Sequence, residues 1–112
     1  GTVAKQQGGP TSPKAAIAAV AAYNNIPSSA MVGGRRDRPA AQARQIAMYL
    51  LRHTFGLTPE EIGQTLGNRD RTTVLYSIKQ VARKLEQDAS FAAALAQLAA
   101  SLETSSNTAG PQ

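Results

Sequence analysis

The side chains of this chain permit only a narrow range of chemistry. It has no Cys and a single His, His53. A Cys-ligated zinc, a thiol nucleophile and an HExxH zinc centre are therefore excluded, and a Ser-His-Asp triad would have to use that one imidazole. His53 falls near the end of a predicted helix, where it reads as a helix-end residue rather than a catalyst. Glu60 and Glu61 follow Thr58-Pro59 in a helix-capping pattern, with no oriented partner for general acid–base work. The remaining groups donate hydrogen bonds. Thr72, Tyr76, Lys79, Gln80 and Arg83 share one side of a predicted helix at about 100° per residue. All five can hydrogen-bond, two are cationic and none is acidic. Such a stripe suits recognition rather than turnover, because acids there would repel phosphates whereas Arg, Lys, Gln and Thr can donate to base edges and backbone. A second cluster is Arg35-Arg36-Asp37-Arg38. It reads either as a solvated turn or as a basic arm that lays Arg36 or Arg38 in a minor groove, where the weakly hydrated guanidinium is favoured.

These groups need elements to hold them. β-branched alternation is nearly absent, so no strand is expected. Ser12-Pro13 opens a first helix that buries Ile17, Val20 and Ala21 and ends near Asn24-Asn25. A short helical turn at Ser28 to Met31 is expected next. Gly33 to Pro39 reads as a loop. A long helix from about Ala40 to Thr54 then carries Ile46, Ala47, Leu50, Leu51 and Thr54 on one face, and Gly56 ends it. Thr58-Pro59-Glu60-Glu61 is a capping box. It opens a short helix that buries Ile62 and Leu66 and stops at Gly67-Asn68, both suited to a left-handed residue. Asp70 caps the next helix, predicted to about Gln87, with Val74, Ile78, Val81 and Leu85 inward. A last helix carries Phe91, Leu95, Leu98 and Leu102. A short capped helix, a tight turn and a longer amphipathic helix make a helix-turn-helix pattern. Met31 and Met48 read as packing residues. Tyr76 could stack on a sugar or a thymine methyl, or simply cover the turn.

Composition agrees with a small folded module. The 112 residues are 42% hydrophobic and 17% charged, enough for one core and too few for two. Lys plus Arg is 12 against 7 for Asp plus Glu, a net charge of +5. Between Arg35 and Lys84 lie ten Lys or Arg and four acids, a local net of +6, so the whole excess surrounds the loop, the long helix and the helix-turn-helix. A basic excess favours an acidic partner, although the same residues could serve only solubility. No apolar run approaches a membrane span. Lys14 followed by an Ala-rich stretch has only Ile17 and Val20 as strong apolar residues, weak for an export signal. Residues 1–13 read as a flexible linker and 104–112 as a frayed tail, around a domain at 14–103. A start at Gly1 is expected of a piece of a longer protein.

The segments Ala43-Arg-Gln-Ile-Ala-Met-Tyr-Leu50, Glu61-Ile-Gly63, Gly67-Asn-Arg-Asp70 and Thr72-Thr-Val74 together resemble the C-terminal DNA-binding domain of the bacterial chromosomal replication initiator DnaA. The resemblance spans about Ala15 to Leu102. It implies an all-α fold: a small helical bundle containing a helix-turn-helix, preceded by a basic loop. It also implies recognition of nine-base-pair DnaA boxes in double-stranded DNA at the replication origin. On it, Arg36, with Arg38 beside it, matches the minor-groove loop. Arg44 and Gln45 match the phosphate-contacting start of the long helix, and Thr58 and Glu60 lie where the motif's first helix nears the backbone. Arg69, Asp70, Arg71, Thr72, Thr73, Tyr76 and Lys79 fall on the recognition helix and its approach. Three departures stand out. Arg71 replaces the signature His, Asn68 replaces a Gly, and Ala41-Gln-Ala-Arg44 replaces Ala-Arg-Pro-Arg. The family also commonly has Leu-Pro where this chain has Pro59-Glu60.

The resulting expectation is a DNA-binding module and not an enzyme. No cofactor is expected on these residues. There is no Gly-x-x-x-x-Gly-Lys-[Ser/Thr], and the resemblance implies that ATP belongs to a separate AAA+ domain. The expected setting is the bacterial cytoplasm, on the nucleoid, with the isolated domain monomeric. Two other readings stay open. One is a stand-alone DnaA-like regulator or a transposition-associated DNA-binding domain. The other is a basic bundle that meets an acidic protein. With aromatic residues at 4%, no stacking platform for single strands is evident.

Overall fold

Why six short sequences become six helices is largely a matter of their caps. The computed structural model describes residues 12–34 and 37–109, the last seven by backbone alone. Every element among the described residues is helical: α1 Pro13–Tyr23, α2 Ser29–Val32, α3 Arg38–His53, α4 Pro59–Thr65, α5 Arg71–Gln87 and α6 Ala89–Ala109. Ser12 caps α1, its Oγ accepting from the Ala15 N–H at 3.2 Å. Asp37 caps α3, accepting from Ala40 N–H, and Pro39 stands in the first turn. This helix therefore starts at Arg38 rather than Ala40, because an Asp followed by a Pro two residues later is itself a start signal. Thr54 is its C-cap rather than a face residue. The predicted capping box of α4 is present in both directions, Glu61 N–H to Thr58 Oγ1 at 3.1 Å and Thr58 N–H to Glu61 Oε1 at 2.8 Å. Asp70 caps α5 through Thr72 N–H at 2.9 Å. Asp88 closes α5 and opens α6, accepting from Phe91 N–H at 3.0 Å.

The core is built around α3, which packs on α1, α2, α4 and α5. Val20, Met31, Met48, Leu50, Leu51, Ile62, Leu66 and Val74 are fully enclosed. On α5 the inward face differs from the expected stripe. Val74, Ser77 and Val81 are buried, whereas Ile78 and Leu85 are half-buried. A small side chain at 77 suits the close approach of α5 to α3, its most extensive partner. On α6, Leu95 and Leu102 are buried and Phe91 and Leu98 flank them. The backbone of α6 continues to Ala109, past Thr104, where fraying is expected. The short second helix lies one residue later than the sequence suggests. Apart from Ser12 and Pro13, which open α1, the expected linker lies outside the described residues, as do Arg35, Arg36 and the end of the expected tail.

The turn between α4 and α5 depends on bare backbone at two glycines. Gly67 and Asn68 take φ of 84° and 63°, the left-handed region that Gly and Asn tolerate best. A Cβ on Gly67 would stand 2.2 Å from the Val32 carbonyl oxygen. A Cβ on Gly63 would stand 2.2 Å from the Arg69 carbonyl oxygen, and Arg69 N–H donates to the Gly63 carbonyl at 2.9 Å. Bare backbone at 63 is thus what lets the chain fold back on α4 and deliver α5 at its observed angle.

Candidate nucleic-acid interface

The first turns of α4 and α5 lie side by side. Their proximity is set by the turn just described and sealed on the surface by an ion pair, Arg71 Nε to Glu60 Oε2 at 3.1 Å. From there α5 presents an outward face centred on Thr72, Tyr76, Lys79 and Arg83, flanked by Arg71 and Thr73. Asp70, Arg71, Thr72, Thr73, Tyr76 and Lys79 are exposed, and Arg83 is exposed farther along. Val74 and Val81, on the opposite side, are buried. The periodicity of the sequence anticipates this division, although Gln80 is half-buried. Tyr76 is 58% exposed.

Sequence reasoning passed over one residue of this face. Leu75 is 43% exposed beside Tyr76, an apolar group among donors, of the kind that contacts a thymine methyl. Its place outside the Val74–Val81 stripe was the available signal. Glu60, read only as a first-turn acid near the backbone, is the direct partner of Arg71. No pattern within one helix reveals that pairing.

Two predicted contact residues are engaged by the fold instead. Arg44 is only 9% exposed and donates from Nη1 to the Ala30 carbonyl at 3.0 Å. A guanidinium held there ties α3 to α2. Arg69 is half-buried; its Nε donates to the Leu66 carbonyl at 2.9 Å and its Nη2 to the Gly33 carbonyl. It therefore clamps the helix-turn-helix to Gly33, just after α2, rather than standing free. Thr58 is exposed but committed to its cap.

The remaining predicted residues fall around this centre. Arg38 is exposed at the first position of α3, where its charge adds to the positive end of the helix. Arg36 lies outside the described residues. Gln45 is half-buried and lines a polar groove between α3 and α5 with Gln80, Arg83, Lys84, Gln87 and Asp88. Lys84 sits 4.7 Å from the centroid of the Phe91 ring, so part of that groove's charge is held by a cation–π contact.

No cluster of three His, Cys, Asp or Glu that could hold a metal ion is present among the described residues. His53 is exposed and tilted against Tyr49, with ring centroids 4.3 Å apart. No helix among them is long and apolar enough to cross a membrane.

The sequence matches the family model described as the bacterial DnaA protein helix-turn-helix over residues 13–81, which takes in α1 through most of α5. It is 45% identical over 69 residues to the chromosomal replication initiator protein DnaA of Lactococcus lactis subsp. cremoris, covering 62% of this chain and 15% of that protein. Against the protein of the same name from Thermomicrobium roseum it is 43% identical over 76 residues, 68% of this chain and 16% of that one. Against that from a Synechococcus strain it is 39% identical over 83 residues, 74% and 18%. The chain thus spans under a fifth of the length of these curated relatives, and α6 lies beyond the family match.

Proposed function

The chain belongs to the bacterial DnaA helix-turn-helix family, and from that premise we propose that it binds double-stranded DNA sequence-specifically at sites of the DnaA-box type. In this reading α5 enters the major groove by its first turns, and the loop at 35–38 reaches the adjacent minor groove. One observation carries it: Thr72, Tyr76 and Lys79 are exposed on the side of α5 opposite buried Val74 and Val81, with Arg71 and Thr73 exposed on the flanks of its first turn. These are donors and one aromatic, on a rod of the width a major groove admits. A supporting observation is the Arg69 clamp. It holds Gly33, just before the basic segment, against the turn that launches α5. Asp37 and Arg38, at the other end of that segment, form the start of α3.

Phosphate contacts in this reading come from Lys79 and Arg83, with Gln45 and Gln80 beside them. Binding needs no metal or nucleotide from this chain, and the isolated domain acts as a monomer. The same role sets the protein to work on chromosomal DNA in the cytoplasm, as one part of a longer initiator. Selection from a random duplex pool at physiological salt, in the presence of EDTA and without ATP, tests the proposal. Enrichment of one short motif is the expected result, with affinity falling steeply as salt rises. A pool that stays random after repeated rounds overturns it.

A further inference from the structure

Glu60 is an unusual residue to find on a DNA-facing surface, since a carboxylate there repels phosphates. It is 59% exposed, and its Oε2 lies 3.1 Å from Nε of Arg71, itself 63% exposed. Pairs this open to water add little to folding stability, because solvent screens them and both long side chains lose freedom. The consequence of the contact is therefore for the orientation of Arg71. Nε makes the closest approach to the carboxylate. A guanidinium whose ion-pair partner lies at Nε keeps its Nη1–Nη2 edge for bidentate donation, the geometry that fits guanine O6 and N7.

Arg71 stands in the first turn of α5 and Glu60 in the first turn of α4. The fold brings the two into contact across the turn. We propose that Glu60 is a positioning residue that aims Arg71 at a guanine in the major groove, so that the pair together sets base preference at one position of the site. This rests on the proposed duplex-binding reading. In the duplex Glu60 never needs to touch DNA, and its charge is offset by the arginine it holds.

Pairing of this kind makes base preference and general affinity move in opposite directions. Loss of the carboxylate removes repulsion, so binding to unrelated duplexes tightens, by about two- to threefold at low salt. Loss of the aim weakens discrimination at one base pair. A good bidentate contact discriminates by roughly five- to 150-fold. Freeing its arginine is expected to remove about three- to tenfold of that.

The test measures binding of the selected duplex and of every single-base-pair variant of it. The proteins are the wild type, Glu60→Gln, Arg71→Ala and the double substitution. Thermal unfolding is followed in parallel, with Glu60→Gln expected to melt close to the wild type. The expected result is a guanine preference that Arg71→Ala abolishes and Glu60→Gln reduces at that position alone. In the Arg71→Ala background, Glu60→Gln should then change nothing there. Unchanged preference in Glu60→Gln overturns the inference while leaving duplex binding intact. So does equal loss at every position, or an effect of Glu60→Gln that persists without Arg71. A wild type that enriches no motif removes the underlying reading, and this inference with it.

Discussion

Gly63→Ala places two opposed effects in one methyl group. Gly63 lies in α4, and alanine is the better helix former by about 1 kcal/mol. On propensity alone the substitution should stabilise. The structure opposes it, because the new Cβ would stand 2.2 Å from the Arg69 carbonyl oxygen. That oxygen is backbone and cannot rotate away, so relief requires the turn to move by roughly 1 Å against a packed core. Overpacking of this kind costs about 1–3 kcal/mol, and the displaced segment also carries the Arg69 N–H to Gly63 bond at 2.9 Å. The net expectation is a loss of about 1–2 kcal/mol, or a fall in Tm of roughly 5–15 °C for a domain this size. Because the turn sets the angle of α5 on α4, binding of the selected duplex should weaken more than binding of unrelated DNA. Thermal unfolding followed by circular dichroism, with duplex titration of the folded variant, reads both effects. Gly34→Ala supplies the control for stability, since a Cβ there meets nothing within 4 Å. A Gly63→Ala variant as stable as the wild type or more so would refute the argument that bare backbone at 63 is required.

Other substitutions separate fold from contact. Arg44→Ala removes a buried guanidinium that donates to Ala30 at 3.0 Å. It should lower stability by about 1–3 kcal/mol while leaving the salt dependence of DNA binding unchanged. A salt slope reduced by about one unit would instead return Arg44 to the phosphate contacts. Arg71→Ala should cost about 1–3 kcal/mol on the preferred duplex and relax one base pair; a scan with equal losses on all sequences argues against base contact. Thr58→Ala removes one half of the capping box of α4 and should cost about 1 kcal/mol, read by chemical denaturation. A midpoint unmoved from that of the wild type counts against the cap. Lys79→Ala should weaken all duplexes alike and flatten the salt dependence by about one unit. An unchanged slope removes Lys79 from the backbone contacts.

The division between what sequence and structure each decided follows the range of the interactions. Capping is complete within three or four residues, so Ser12, Thr58 with Glu61, and Asp70 could be read directly as helix starts. So could Gly67-Asn68 as a left-handed stop. Helical periodicity is equally local, and it sorted α5 into a buried side and a donor-rich outer side without acids. The missed start of α3 at Arg38 was also legible, in Asp37 and Pro39, but was hidden by reading the Arg-rich stretch as one loop.

Arginines resisted such reading because a guanidinium serves equally well on a phosphate, a base or a carbonyl. Which of these Arg44, Arg69 and Arg71 meets depends on segments far away in the chain. Ala30 lies 14 residues from Arg44, and Gly33 lies 36 from Arg69. Ser77 turned inward for a related reason, since how closely α5 approaches α3 decides whether a small polar residue is covered. The amino-acid order alone settled which segments are helical and which side of α5 is wet. The crossing of those helices then decided which cations remain available to a ligand. Backbone capping closes over a few bonds, whereas a long flexible side chain is placed only when distant carbonyls and carboxylates have come within its reach.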